Sequence, residues 1–371
     1  MKAGIEAASA GGLLTIDLDA IAANWRTLRD MASPALCAAV IKANGYGLGA
    51  DLVARALHDA GCRDFFVAHL HEGASLPPEV TRDSRIFILN GPPPGTCEAM
   101  AARGLIPVLN SLDQIAEWRA MAAPAALQVD TGMSRFGLSP AEFRALLADP
   151  NGLAGLAPVL LMSHLACADT PEHPLNVSQL ACFESCRALL PDLPASLAAS
   201  FGIMLGRPFH YQMIRPGAAL YGVNPTPGCS NPMRPAIRLQ GRIVQTRWIA
   251  PGDSVGYGAR FTATAPTRIA TVAVGYADGF LRAGSGRGIA TLPSGEALPM
   301  VGRISMDCLA LDATGLGEAA LPAGTAIDLI GPHISLDAAA ASAGTIGYEL
   351  LTALGSRYAR HYVGGQAGHS A

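Results

Sequence analysis

The 371-residue chain is short of lysine: it has two, Lys2 and Lys42, and arginine supplies the rest of its 26 basic residues. Lysine is ordinarily among the commonest residues. An arginine guanidinium does not deprotonate in proteins, whereas a lysine amine can. A lysine kept inside the folded region therefore points to chemistry that arginine cannot do, against the plainer alternative of chance survival under a biased composition. Charge is scarce too, at 15% of residues with a net charge of −3. No basic excess exists to neutralise a phosphate backbone, which excludes a dedicated nucleic-acid binder. No apolar run reaches the roughly 18–20 residues of a membrane span, and the opening MKAGIEAASAGGLL holds no apolar stretch of signal-peptide length. A soluble, cytoplasmic protein is expected. The eight cysteines, at 37, 62, 97, 167, 182, 186, 229 and 308, form no CxxC pair, and no Cys/His cluster follows Cys182 and Cys186. No metal site is expected, and the thiols read as reduced and mostly buried.

Apolar residues are plentiful, at 50%, which allows a sizeable core and excludes global disorder. Strand-like runs occur at Leu36–Ala43, Phe65–Leu70, Arg85–Asn90, Ile106–Asn110, Ala126–Asp130, Val159–Leu165, Leu197–Ser200 and Met213–Leu220, with helix-like stretches such as Asp51–Ala60 and Ser178–Leu190 between them. Strands alternating with helices in this way predict an α/β fold with an N-terminal (β/α)8 TIM-type barrel over residues 1–230. The last runs are open to either reading, because short apolar segments cannot be typed by period alone. Asn224–Pro235 is dense in Pro, Gly, Asn and Ser and reads as a linker. After it, Ile237–Ile249, Thr267–Val274, Ala297–Val301, Cys308–Asp312 and Ala326–Ile330 predict a mainly β domain over residues 231–371, with a more helical tail at Thr345–Tyr362.

In a parallel barrel the active site lies at the carboxyl ends of the strands. Polar residues stand just after the apolar runs: Lys42, Asp130, His164 and Ser200, with Arg215 and Gly217 in or after the last. Any strand can be bounded by polar residues, but this mixture points to one shared site. An amine desolvated among apolar walls has its pKa lowered and becomes a nucleophile near neutral pH. Such a lysine suggests a Schiff base, and pyridoxal phosphate is a natural partner, with Ser200, Gly217 and Ala218 supplying hydroxyl and backbone N–H groups to its phosphate.

The segment AVIKANGYGLGA (Ala39–Ala50) resembles the cofactor-attachment motif of the alanine racemase family, fold-type III pyridoxal-phosphate enzymes. VDTGMSRFG, MSHLACAD, RPGAALYG, VGYGARF, VGYADGFLR, VGRISMD and TIGYELL follow in the family's order, so the resemblance spans essentially the whole chain. It implies pyridoxal 5'-phosphate as cofactor, with Lys42 as Schiff-base lysine and one catalytic base and Tyr257 as the opposing base. It places Tyr46, Ser200, Gly217, Ala218 and Tyr348 on the cofactor phosphate. Arg215 would face the pyridine nitrogen and hydrogen-bond towards His164, which in turn would contact Tyr257. Arg135 would contact the cofactor and the substrate carboxylate, helped by the Met306 backbone. Asp169, Tyr276, Arg282, Arg303 and Tyr348 would line the entrance. In the family, the residues matching Tyr257 and Met306 reach the site from the other subunit, which implies a head-to-tail homodimer with composite sites.

The physical logic agrees with that assignment. Racemisation takes a proton from one face of a carbon and returns one to the other, so two fixed bases avoid a swinging one. A phenol of pKa about 10 is a poor base, and His164 with Arg215 would place positive charge beside Tyr257 to favour the phenolate. An arginine does not protonate the ring nitrogen, which leaves a weaker electron sink and disfavours transamination.

The sequence departs from the family at Gln128, at Ala199 and after TIGYELL, where LGSRYARHY differs from the commoner ending while Tyr348 is retained. Gln128 stands where a carbamylated lysine is common, so either a direct Gln128–Arg135 hydrogen bond or a bound chloride is expected. Ala199 replaces the asparagine usual before the serine. Interconversion of L- and D-alanine, supplying D-alanine for peptidoglycan, is the leading function. A broader racemase acting on serine, lysine or arginine is the main alternative, which Tyr276 and Tyr348 at the entrance disfavour. A cofactor-homeostasis protein is shorter and lacks the second domain, and a decarboxylase of the same architecture fits the VGYGARF and SMD motifs less well.

Overall fold

The computed structural model describes residues 9–316 and 321–365. Its strands, in chain order, begin with β1 (Gly12–Asp17), β2 (Leu36–Cys37), β3 (Ala39–Val40), β4 (Asp64–Val67), β5 (Arg85–Ile88), β6 (Ile106–Leu109), β7 (Pro124–Gln128), β8 (Ala157–Met162), β9 (Ala195–Ser196) and β10 (Met213–Ile214). Strands β3 to β9 pair in sequence order as one parallel sheet. β4 and β6 are buried at every position, as strands covered on both faces must be.

The sheet closes on itself. β10 pairs in parallel with β2 through Met213–Leu36 and Ile214–Cys37. On its other side Arg215 N donates to Ala198 O and Gln212 N to Ala195 O, at 2.9 and 3.1 Å. Closure leaves no free edge and makes the expected eight-stranded barrel. Val40, Phe66, Phe87, Val108, Leu160, Met162 and Met213 fill its interior. Phe66 and Phe87 stack at 4.5 Å, and small Ala38 and Ala126 leave room for them. The expected strand at Leu197–Ser200 lies two residues earlier, at Ala195–Ser196, and Ser200 instead opens the short helix Ser200–Met204.

The second unit is mainly antiparallel. It contains β11 (Ile237–Ile249), β14 (Thr267–Val272), β15 (Ile289–Thr291), β16 (Ala297–Val301), β17 (Leu309–Asp312), β18 (Ala326–Ile330) and β19 (Ala359–Val363), with a small ribbon of β12 (Ser254–Val255) and β13 (Phe261–Thr262). The sheet order is β14-β17-β16-β15-β18-β11-β1-β19, and β14 also pairs with β11. Two features differ from the expected division. β1, within residues 1–230, pairs with β11 and β19 and not with the barrel. Its alternating burial, with Leu14 and Ile16 inside, is the pattern of a sheet covered on one face. The tail is helical only over Gly347–Ala353 and ends as a strand on β1. Among the described residues, those up to Ala20, Tyr221–Val223 and those from Pro235 onward accordingly form one compact unit, and Ile21–Leu220 with Asn224–Arg234 the other. Among the described residues no helix is long and apolar enough to cross a membrane.

Asp328 on β18 is fully buried, and Arg238 on β11 meets it with two hydrogen bonds of 2.7 and 2.9 Å. Removing one partner of such a pair strands a charge inside, while replacing both by apolar residues costs far less. Arg238→Met should lower the unfolding free energy by roughly 3 kcal/mol, and Arg238→Met with Asp328→Leu should recover much of that loss. Urea unfolding checks both, and a single variant as stable as the parent would show the pair to be idle.

Candidate functional site

The sequence-predicted barrel residues fall at the carboxyl ends of the strands. Lys42 follows β3, Gln128 ends β7, His164 follows β8, Ser200 follows β9 and Arg215 follows β10. Arg135 and Asp169 stand on the loops after β7 and β8 and are exposed. Arg215, Gly217 and Ala218 are buried, and Lys42, Tyr46 and His164 are partly so.

The backbone after Lys42 is unusual. Ala43, Asn44, Gly45 and Tyr46 all have φ between 52° and 63°, a turn of left-handed helix. Each non-glycine residue in that conformation costs about 1–2 kcal/mol, so the surroundings must hold it. Gly45 N donates to Ile41 O at 2.9 Å, Gly47 N to Ala43 O at 2.8 Å and Gly49 N to Asn44 O at 2.9 Å. The Asn44 side chain accepts from Ala50 N. Glu72 accepts from Ala43 N at 2.6 Å through Oε1, and from Ala68 N and His69 N through Oε2. Strain concentrated in this way at a pocket is a mark of functional sites.

The turn carries Tyr46 to the loop after β10. A Cβ placed on Gly217 would collide with the Tyr46 hydroxyl and lie 3.2 Å from Val40 Cβ, so only glycine admits that approach. Ser200 Oγ is buried and accepts from Gly217 N and Ala219 N at 3.0 and 3.1 Å. Two hydroxyls and a close-approach backbone thus gather near one point, a donor set that suits a phosphate group.

The charges are cationic. Burial, with the Arg135 cation next, holds the Lys42 amine below its ordinary value, and Glu72 acts in the opposite sense. Burial, then Arg215, Arg135 and Lys42, push His164 down to about 3. Burial lowers Arg215 to about 9, which leaves it cationic at neutral pH. His164 is therefore neutral, and the expectation that it shares positive charge with Arg215 is corrected. The hydrogen bonding also differs. Arg215 donates to Ser196 Oγ and, at 2.6 Å, to Ser163 O, and no hydrogen bond joins it to His164 among the described residues. Gln128 likewise donates to Phe136 O at 3.3 Å and not to Arg135, whose guanidinium lies 5.8 Å from the Phe136 ring centre.

Residues that the sequence reading passed over organise this end of the barrel. Gln179, fully buried, donates to His164 O and Thr131 Oγ1 and accepts from Ala166 N. Thr131 and Ser163 share a 2.8 Å hydrogen bond. An internal glutamine or serine carries no periodic signal. Glu72 was findable, because an acidic residue three after His69, just beyond a strand, is the spacing of a capping box.

Tyr257, Tyr276, Arg282, Arg303, Met306 and Tyr348 belong to the β unit. Tyr257, Tyr276 and Met306 are exposed, at 71%, 41% and 53%. A Cβ on Gly258 would lie 3.0 Å from the Arg303 guanidinium, which packs that cation against the backbone of the VGYGARF segment. Tyr276 N donates to Ser305 O and Ala277 N to Met306 O. Exposed Arg282 begins a turn whose Ser285 hydroxyl accepts from Ile304 N. Arg357 bridges buried Asp278, at 3.1 Å, and Asp307, at 2.7 Å, which ties the Tyr276 loop to the Met306 loop. Tyr348 stands in the first turn of the helix Gly347–Ala353.

Residues 16–225 match the family model of the alanine racemase N-terminal domain, and residues 236–362 that of the alanine racemase C-terminal domain. An alanine racemase of Rhodospirillum rubrum is 53% identical over 366 residues, covering 97% of this chain and 98% of the relative. A catabolic alanine racemase of Mesorhizobium japonicum is 49% identical, covering 97% and 96%. Among solved structures, the alanine racemase of Bartonella henselae with covalently bound pyridoxal phosphate superposes with a TM-score of 0.90 at 41% identity, over 95% of this chain and 100% of that one.

His164 offers a direct check of the site's electrostatics. Its folded pKa lies below the usual value of about 6.5. Its neutral form therefore contributes stability above that pH, and the contribution is lost as pH falls towards about 3. In the apo protein its imidazole Cε1–H NMR signal, assigned by loss in His164→Gln, should not move between pH 8 and 5. A titration midpoint in the ordinary histidine range would overturn this electrostatic account.

Proposed function

The chain belongs to the alanine racemase family, and from that premise we propose that it interconverts L-alanine and D-alanine with a pyridoxal phosphate carried on Lys42. The family membership rests on both domain models and on relatives near 50% identity across the whole chain. The observation that carries the assignment to this site is the desolvated Lys42 amine on its left-handed turn, with the Tyr46, Ser200 and Gly217 cradle beside it. The cradle fits the phosphate, and Lys42 fits the covalent attachment seen in the Bartonella henselae enzyme.

When bound, pyridoxal phosphate holds the substrate amine and draws electron density from its α-carbon, which acidifies the α-hydrogen. The chain's own residues do the rest. Lys42 Nζ, held below its ordinary pKa, accepts or returns the proton on one face. Tyr257 Oη does so on the other. Arg215, anchored on Ser196 and Ser163, would be the residue that meets the ring nitrogen, without giving it a proton. His164 is a neutral contact within this array. Arg135, on the exposed DTGMSRF loop, takes the substrate carboxylate with the Met306 backbone. Asp169, Tyr276, Arg282, Arg303 and Tyr348 form the entrance, and Ala218 and Tyr348 complete the phosphate site.

We also propose that the sites are composite, with Tyr257 and Met306 contributed across a head-to-tail homodimer. Support comes from their high exposure on one chain together with Tyr276, since contiguous exposed apolar side chains mark interaction faces. A soluble cytoplasmic enzyme supplying D-alanine to peptidoglycan is the physiological reading, with the 1–230 and 231–371 segments dividing cofactor attachment from the partner's site.

Purified protein loaded with pyridoxal phosphate should bring either alanine enantiomer to an equal mixture on chiral chromatography, with serine, lysine and arginine turned over far more slowly. Equal turnover of arginine or lysine would replace alanine racemase by the broader racemase. Lys42→Ala and Tyr257→Phe should each cost at least about 10²–10⁴-fold in rate. Mixed and allowed to exchange subunits, these two inactive variants should regain about a quarter of parental activity, because each heterodimer rebuilds one intact site. No recovery after proven exchange would place both bases on the same chain.

A further inference from the structure

We propose that Glu72 is a positioning residue for Lys42, clamping the left-handed turn that follows it to the loop after β4. The proposal rests on the reading of Lys42 as the cofactor-bearing lysine. Glu72 stands at the third position of the short helix Leu70–Ala74, and its Oε2 caps that helix by accepting from His69 N at 3.0 Å. Capping accounts for one carboxylate oxygen. The other is turned away from its own helix to Ala43 N of the neighbouring loop, at 2.6 Å. Oε2 also takes Ala68 N, at 2.7 Å, so one carboxylate collects three N–H groups from two barrel loops. Hydrogen bonds to a charged acceptor are the strong ones.

The position of the contact matters. Ala43 N belongs to the peptide unit that contains the Lys42 carbonyl, so the clamp fixes the peptide plane on the C-terminal side of Lys42. On the other side Ile41 O, in the peptide unit that contains the Lys42 N–H, accepts from Gly45 N at 2.9 Å, and Ile41 N donates to Phe66 O at 2.9 Å. The amine is thereby aimed from a backbone fixed on both flanks. The charged groups acting on Lys42 are Arg135, which disfavours its protonation, and Glu72, which favours it; the His164 that faces them is neutral.

Glutamate is suited to this role by both charge and length. Glu72→Gln loses the charge and turns an amide NH2 towards an N–H donor. Glu72→Asp keeps the charge but is one methylene short of spanning the two loops. Because Lys2 and Lys42 are the only lysines, reductive 13C-methylation of the full-length apo protein yields two lysine signals, and Lys42 is assigned by its loss in Lys42→Met. The parental Lys42 midpoint should fall below the ordinary lysine value of about 10.4. Glu72→Gln should lower it further, by about one pH unit, and weaken pyridoxal phosphate binding roughly tenfold. Glu72→Asp should leave the midpoint near the parental one and still weaken binding. A parental midpoint at the ordinary lysine value would sink the reading of Lys42 itself. A depressed parental midpoint, with Glu72→Gln matching the parent in both midpoint and binding, would sink the role of Glu72 alone. If Glu72→Gln does not fold, parental binding by Glu72→Asp overturns the clamp.

Discussion

The constraint on which the barrel site depends is the transfer of a lysine amine out of water into a cationic neighbourhood. Burial and Arg135 both work against its protonation, and the same field empties His164 of its proton. A pocket that collects Lys42, Arg135 and Arg215, with Glu72 as the carboxylate acting on the lysine, is arranged for an anionic occupant. A dianionic phosphate with a nearby substrate carboxylate fits that deficit. A second excess of the same sign would only deepen it. The field thus suits an anionic cofactor and disfavours protonation of the amine.

Holding such a site requires a support that does not itself add charge. The barrel provides one through neutral buried groups. Ser196 accepts from Arg215 and donates to Met213 O. Gln179 fastens the loop after β8 to Thr131, and Thr131 in turn meets Ser163. Each polar atom in this chain of contacts has a partner, which is what makes a buried network rigid. The stacked Phe66 and Phe87 beneath it, with Arg215 6.0 Å above the Phe66 ring, turn the top of the apolar core into the floor of the site.

Most of this was legible in the sequence where the signal was local. The barrel strands stood out because strands covered on both faces read as unbroken apolar runs, and the polar residues at their ends marked one rim. Lys42 stood out because lysine is otherwise nearly absent. Long-range pairing was not legible. β1 alternates as a one-faced strand should, but nothing in GLLTID names β11 and β19 as its neighbours. β19, with Arg360, His361 and Tyr362, lacks an apolar pattern altogether and exists through its parallel pairing with β1. Gln179 and Ser196 were invisible for a related reason, since a buried hydrogen bond leaves no period. The partners of Arg215 and Gln128 were expected from resemblance, and differ here because the nearest acceptors, Ser163 O, Ser196 Oγ and Phe136 O, are set by this chain's own loops.

Gln128 shows how one neutral side chain shifts the balance of the whole site. A carbamylated lysine at that position would place a negative charge near Arg135 and screen its effect on Lys42. Gln128 instead spends its amide on the Phe136 carbonyl, and Arg135 is held over an aromatic ring, a contact that leaves its charge intact. The Arg135 cation therefore acts on Lys42 without that anionic counterweight. What opposes it is Glu72, on the other side of the lysine and fixed by three backbone donors. Burial lowers the basicity of the amine first, and two charges on two different loops then act on it in opposite senses, one on an exposed side chain and one locked into the backbone.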